Sequence, residues 1–197
     1  MIFNRIEISK GFYILIAVVV LFDITEMFVL SVVCALLHEG GHLACIYLCK
    51  GKIENVKLTV YGASIELGKY PIIPYRNEII IAAAGPAVSL LAAVLFSYIG
   101  KYAYIDKFFL ISGINLLIGV LNLIPAYPLD GGRMLKCFLL MFFSVKTVKI
   151  ITSAICGICA ICVSIICTYI NARAGFQVTL TVFSVFVITS FVRNMLE

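Results

Sequence analysis

Residues 27–48 read MFVLSVVCALLHEGGHLACIYL, and this stretch decides the architecture. As a helix it is about 33 Å long, enough to cross a ~30 Å hydrocarbon core. Within it lies His38-Glu39-Gly40-Gly41-His42, which holds both histidines of the chain. On a helix, positions i and i+4 share a face, so both imidazoles can reach one metal ion. Glu39 lies between them in sequence, beside the pair and not obliged to be a ligand. This is the H-E-x-x-H spacing of a zinc hydrolase. The pattern also arises by chance in soluble sequences. Its setting argues against chance, because each ionisable residue near the middle of a span costs ~2.5–3.5 kcal/mol.

Composition supports a membrane setting. The chain is 63% hydrophobic and only 13% charged, with a mean hydropathy of +1.13. A soluble domain of this length does not have that balance. The net charge of +5 is therefore read as membrane topology, not as a nucleic-acid footprint. The eight cysteines lie in or beside apolar runs. Cys156, Cys159 and Cys162 could form a helical stripe, read as small apolar residues in preference to a metal or redox site. The run from Gly11 to Phe22 is read as a retained span, since it has no small-x-small cleavage site.

Six spans are expected, at about 8–24, 27–48, 78–99, 107–126, 148–170 and 175–192. The apolar piece 135–145 is too short to cross and reads as interfacial or re-entrant. With the N-terminus in the cytoplasm, twelve of the fifteen Lys and Arg residues fall inside. That bias predicts both termini to be cytoplasmic.

Between the second and third spans, Ile53–Val60 and Ala63–Leu67 alternate around Tyr61-Gly62. The expected fold class is thus an all-α polytopic membrane protein with a small β-hairpin inserted there. The hairpin reads either as an edge that receives an extended substrate or as a plain connector.

A third metal ligand is sought elsewhere, because a catalytic zinc usually has three protein ligands and an open position. Asn122-Leu123-Ile124-Pro125-Ala126-Tyr127-Pro128-Leu129-Asp130-Gly131-Gly132-Arg133 closes the fourth expected span. Pro125 and Pro128 stop regular helix, and Gly131 and Gly132 permit a tight turn after Asp130. A carboxylate at membrane depth needs a partner, and a dication would supply one. The alternatives are that Asp130 pairs with Arg133 or caps the following helix.

Taken together these residues resemble the site-2 proteases, a family of intramembrane zinc metalloproteases. His38 through His42 matches the family's first motif, and Asn122 through Gly132 its second. Ala84-Gly85-Pro86 resembles a third family feature. The resemblance implies one Zn2+ per chain held by His38, His42 and Asp130, with Glu39 as the catalytic carboxylate. It implies a substrate or oxyanion contact for Asn122. It also implies a membrane-associated protein substrate, membrane inhibitor or regulator proteins, and no nucleic-acid partner. Gly40 and Gly41 are expected to leave room beside the metal and let helices approach.

Within the family, the short N-terminus and the Pro-Leu-Asp-Gly-Gly ending resemble the sporulation branch. That branch implies processing of a sigma-factor precursor in the mother-cell membrane around the forespore. Two departures stand out: residues 1–197 are read as one domain without a CBS or PDZ module, and Ala84-Gly85-Pro86 continues as Ala87-Val88-Ser89. The alternatives are a site-2 protease with another membrane substrate, or a non-catalytic zinc-binding membrane protein. A transporter using the same ligands would need polar residues continuing to the outer side, and the other spans offer almost none.

Overall fold

The computed structural model describes residues 3–8, 27–49, 53–59, 62–67, 74–126 and 128–174, with five isolated positions beyond. Its elements are β1 (Phe3–Ile8), α1 (Met27–Leu48), β2 (Ile53–Thr59), β3 (Gly62–Leu67), α2 (Tyr75–Ala103), α3 (Asp106–Asn122), α4 (Asp130–Leu140) and α5 (Val145–Ala174). The chain divides into two compact units, Met1–Val120 and Leu121–Glu197.

The first unit is organised by α1 and α2. Ile46 and Ile81 are fully buried against each other, with Leu43, Cys45 and Cys49 packed around them. Close approach depends on glycine at one point of this contact. A Cβ at Gly41 would stand 2.8 Å from the Ala84 carbonyl oxygen and 2.9 Å from Val88 Cγ2. Gly40 faces open space, so only the second of the paired glycines serves helix packing. The α2 helix continues through Pro86, which removes one backbone donor from its interior. It ends at Tyr104, whose φ of 55° is left-handed.

Two corrections to the expected fold class follow. The β region is not an all-α bundle's two-stranded insertion but a three-stranded sheet in the order β1-β2-β3. β2 and β3 pair antiparallel, and β1 joins β2 in parallel, with Phe3 opposite Ile53 and Ile8 opposite Leu58. A parallel pair needs a long crossover, and α1 lies in that connection. Residue 8, expected to open the first span, instead closes a strand.

The six spans are also corrected. Among the described residues, three helices are long and apolar enough to cross a membrane: Val29–Leu48, Tyr75–Ala103 and Val145–Arg173. The expected fourth span is α3, a helix of 17 residues that stops at Asn122, short of the ~20 residues a span needs. The expected first span lies almost wholly outside the described residues, as does most of the sixth. The three long helices leave large apolar side chains exposed, among them Leu91, Leu95, Ile158 and Ile165. In water such faces would be a liability; against lipid they are ordinary, and the chain is a membrane protein.

In the second unit the piece expected to be interfacial begins earlier, at Asp130, as α4. A turn at 141–144 separates it from α5. Gly131 and Gly132 lie in the first turn of α4 and not in a turn after Asp130. A Cβ at Gly131 would collide with the Leu123 carbonyl oxygen and stand 2.5 Å from that of Ile124. Glycine is needed there because the incoming loop folds back onto the helix start.

Candidate metal centre

The α1 helix sets His38 and His42 on one face, both buried at 4% and 5% exposure. Their rings stand edge-on, with centroids 5.0 Å apart. The two Nε2 atoms converge to 3.3 Å. Each Nδ1 is engaged on the far side of its ring by α2. His42 Nδ1 lies 2.7 Å from the Ile81 carbonyl oxygen. A carbonyl only accepts, so Nδ1 carries the hydrogen and the neutral ring's Nε2 carries a lone pair. His38 Nδ1 lies 2.9 Å from Ser89 Oγ, which can take the same role.

Two lone pairs facing each other at 3.3 Å repel unless a proton or a cation lies between them. Donors about 2.0–2.1 Å from a tetrahedral zinc stand about 3.3–3.4 Å apart, which is the observed separation. The α1–α2 contact leaves this space through Gly85. A Cβ there would strike the His42 imidazole and stand 2.8 Å from His38 Nε2. The residue is buried, so a side chain has nowhere else to go.

Asp130 is half-buried and is the first residue of α4. Leu129 holds the N-cap position and makes no side-chain cap, so Asp130 is not the helix cap. His38, His42 and Asp130 are a group of three donors that could hold one metal ion. Two imidazole nitrogens and one carboxylate oxygen form a donor set that suits a catalytic zinc and leaves a position open.

The loop before Asp130 is pinned by its own backbone. Ala126 N–H donates to the Ile124 carbonyl at 2.8 Å, Leu129 N–H to Ala126 at 2.8 Å, and Gly132 N–H to Leu129 at 3.0 Å. The Cys156 thiol reaches the Pro125 carbonyl at 3.9 Å. Asn122 ends α3 and is half-buried, and Glu39 is half-buried one residue beyond His38.

Three participants were not read from sequence. Ser89 and the Ile81 carbonyl orient the imidazoles, and both depend on how α2 docks. The third is Asn115, fully buried, which donates to Cys34 Sγ at 3.1 Å and to the Ile111 carbonyl at 2.9 Å. Cys34 precedes His38 by one helical turn. The available signal was a serine and an asparagine inside apolar helices, where polar groups are expensive.

Comparison with known proteins bears on this centre. The profile of peptidase family M50 matches residues 99–166, which include Asn122 and Asp130. Zinc metalloprotease MJ0392 of Methanocaldococcus jannaschii is 34% identical over 118 residues, 57% of this chain and 34% of that protein. A site-2 protease from Methanocaldococcus jannaschii superposes with a TM-score of 0.69 at 25% identity, covering 97% of this chain and 91% of the solved one.

Residues 99–166 of this chain match peptidase family M50, and its fold matches that of a site-2 protease. Stage IV sporulation protein FB of Bacillus subtilis is another relative, 30% identical over 102 residues, 51% of this chain and 35% of that protein. The chain thus spans about a third of the length of these two curated relatives. Zinc is the family's metal, and the His-His-Asp group fits it.

Proposed function

We propose that this chain is an intramembrane zinc metalloendopeptidase that hydrolyses a peptide bond in or beside a membrane-associated segment of a protein substrate. The observation that carries the reading is the paired orientation of His38 and His42. Each Nδ1 is held by α2 and both Nε2 atoms turn to one point. His38, His42 and Asp130 are the proposed ligands.

When bound, zinc acts as a Lewis acid on a carbonyl and lowers the pKa of water toward ~7. The chain's own residues do the rest. Glu39 takes the water's proton and returns it to the leaving amine nitrogen. The Asn122 amide donates to the carbonyl oxygen as negative charge develops there. A substrate helix satisfies its backbone internally, so it must unwind locally before its peptide bond is accessible.

The finer reading is a sporulation sigma-factor precursor as substrate, in the mother-cell membrane around the forespore, with membrane proteins regulating access. It is favoured by the likeness to stage IV sporulation protein FB. The Lys and Arg asymmetry favours a cytoplasmic N-terminus. The test is co-expression of the sigma precursor from the same genome with the wild-type chain or with Glu39→Gln. Shortening of the precursor with wild type alone supports both readings. Shortening with both chains overturns the role of Glu39. A zinc-loaded wild type that leaves the precursor intact overturns the sporulation substrate.

A further inference from the structure

The second unit holds a cavity of about 440 Å³ between α4 and α5, whose lining includes Leu129 and Gly132 on either side of Asp130 but not Asp130 itself. Arg133, Lys136 and Lys149 line it, with the hydroxyls of Thr152 and Ser153. No Asp or Glu is among its lining residues, so the lining side chains carry a net positive charge. Its remaining wall is apolar, from side chains such as Val148.

A second depression of about 600 Å³ continues from it and shares Lys149 and Ser153. It runs along one face of α5 past Ile150, Ala154, Ile158 and Ile161. These positions recur at helical spacing, and the three isoleucines are 62–72% exposed. From Lys149 to Ile161 the groove is about 18 Å long, comparable with the ~15 Å hydrocarbon depth of one leaflet.

The depth also fits. The apolar span of α5 covers 29 residues, Val145–Arg173, about 44 Å as a helix. That exceeds the ~30 Å core and matches the ~40–45 Å that includes both headgroup layers. Lys149 lies one turn inside the end of the span, at headgroup level.

We propose that this paired site binds one anionic phospholipid, its phosphate among Arg133, Lys136 and Lys149 and an acyl chain along the α5 groove. The cationic cavity selects the headgroup, and the apolar groove selects an amphiphile over a free anion. Basic pockets beside membrane helices recognise anionic headgroups by this electrostatic attraction. The inference does not depend on the protease reading.

The experiment is native mass spectrometry of the full chain released from detergent micelles. The probes are dioleoylphosphatidylglycerol, dioleoylphosphatidylcholine and glycerol 1-phosphate. One phosphatidylglycerol per chain is expected, retained at least tenfold better than phosphatidylcholine. Lys136→Gln and Lys149→Gln should each weaken retention about fivefold, equivalent to ~1 kcal/mol per basic side chain. Lys149→Arg should keep it, and Ala154→Phe, which fills the groove, should weaken it with all three cations in place. Equal retention of both lipids, or retention indifferent to the two glutamine variants, overturns the proposal. Displacement of the lipid by equimolar glycerol 1-phosphate overturns it in favour of a free-anion site. Displacement by an equimolar acidic helical peptide overturns it in favour of a protein segment.

Discussion

The imidazole of His42 donates through Nδ1 to the backbone carbonyl of Ile81, 2.7 Å away on the neighbouring helix. The bond fixes the tautomer, because the carbonyl cannot donate, and so presents Nε2 as an acceptor. Pro86, in the same helix, withholds the N–H that would have met the neighbouring Ala82 carbonyl. Ligand orientation is thereby built into the packing of two apolar helices, through a main-chain atom that side-chain substitution cannot remove.

His38 has the side-chain counterpart of this bond, and it can be removed. Ser89→Ala leaves a buried Nδ1 without its 2.9 Å partner, at a cost of ~1–3 kcal/mol. Partners of this kind typically contribute about 10–100-fold to metal affinity. Zinc competition against a chromophoric chelator should show a loss in that range. Cleavage should recover as free zinc is raised, which distinguishes a positioning residue from a group that touches substrate. An affinity equal to wild type would remove Ser89 from the centre.

The glycines offer a graded series. Gly85→Ala forces a methyl group against both imidazoles, so zinc content should fall steeply and thermal stability should drop by ~1–3 kcal/mol from overpacking. Gly41→Ala meets the Ala84 carbonyl and Val88 and should destabilise similarly by pushing α1 from α2. Gly40→Ala meets open space and should remain within about 0.5 kcal/mol of wild type. Thermal melting with zinc analysis on the same samples tests all three. An unstable Gly40→Ala would contradict the assigned helix contact.

Metal binding and proton transfer should separate. Glu39→Gln keeps a similar shape and should retain zinc while cleavage falls by about 10²–10⁴-fold, the usual contribution of a positioned base. Asp130→Ala removes one of three proposed ligands and should lower zinc occupancy itself. A chelator should silence the wild type reversibly, with activity restored by added zinc. Full zinc content in Asp130→Ala would remove that carboxylate from the ligand set.

These outcomes bear on what a sequence makes legible. His38 and His42 could be paired on paper because i and i+4 adjacency is a property of one helix. Ser89 and the Ile81 carbonyl could not, since their roles arise only when two helices dock at Gly41 and Gly85. The apolar pattern carries the expected fourth span to residue 126, four residues past the end of α3 at Asn122. Asn122-Leu123-Ile124 reads as a continuing apolar helix, but the backbone leaves the helix before Pro125, as residues ahead of proline commonly do. The tight turn expected after Asp130 proved to be a helix start against which carbonyls pack closely. In each case the missing term was a contact between segments.

The sheet gives the plainest instance and a test of its own. Phe3–Ile8 reads Phe-Asn-Arg-Ile-Glu-Ile and alternates only over its last three residues, and nothing local says that it pairs with residues fifty positions later. Order β1-β2-β3 makes β2 the central strand. Its parallel bonds to β1 run from Ile53 to Leu58. Deleting residues 1–8 turns β2 into an edge, and one row of its backbone groups loses its ladder. Hydrogen exchange should then quicken across Ile53–Leu58 at the amides that faced β1, while those paired with β3 keep their protection. Unchanged exchange along the whole of β2 would mean that β1 does not pair there. The chain would then carry a two-stranded element, whose independent stability in water is marginal at best.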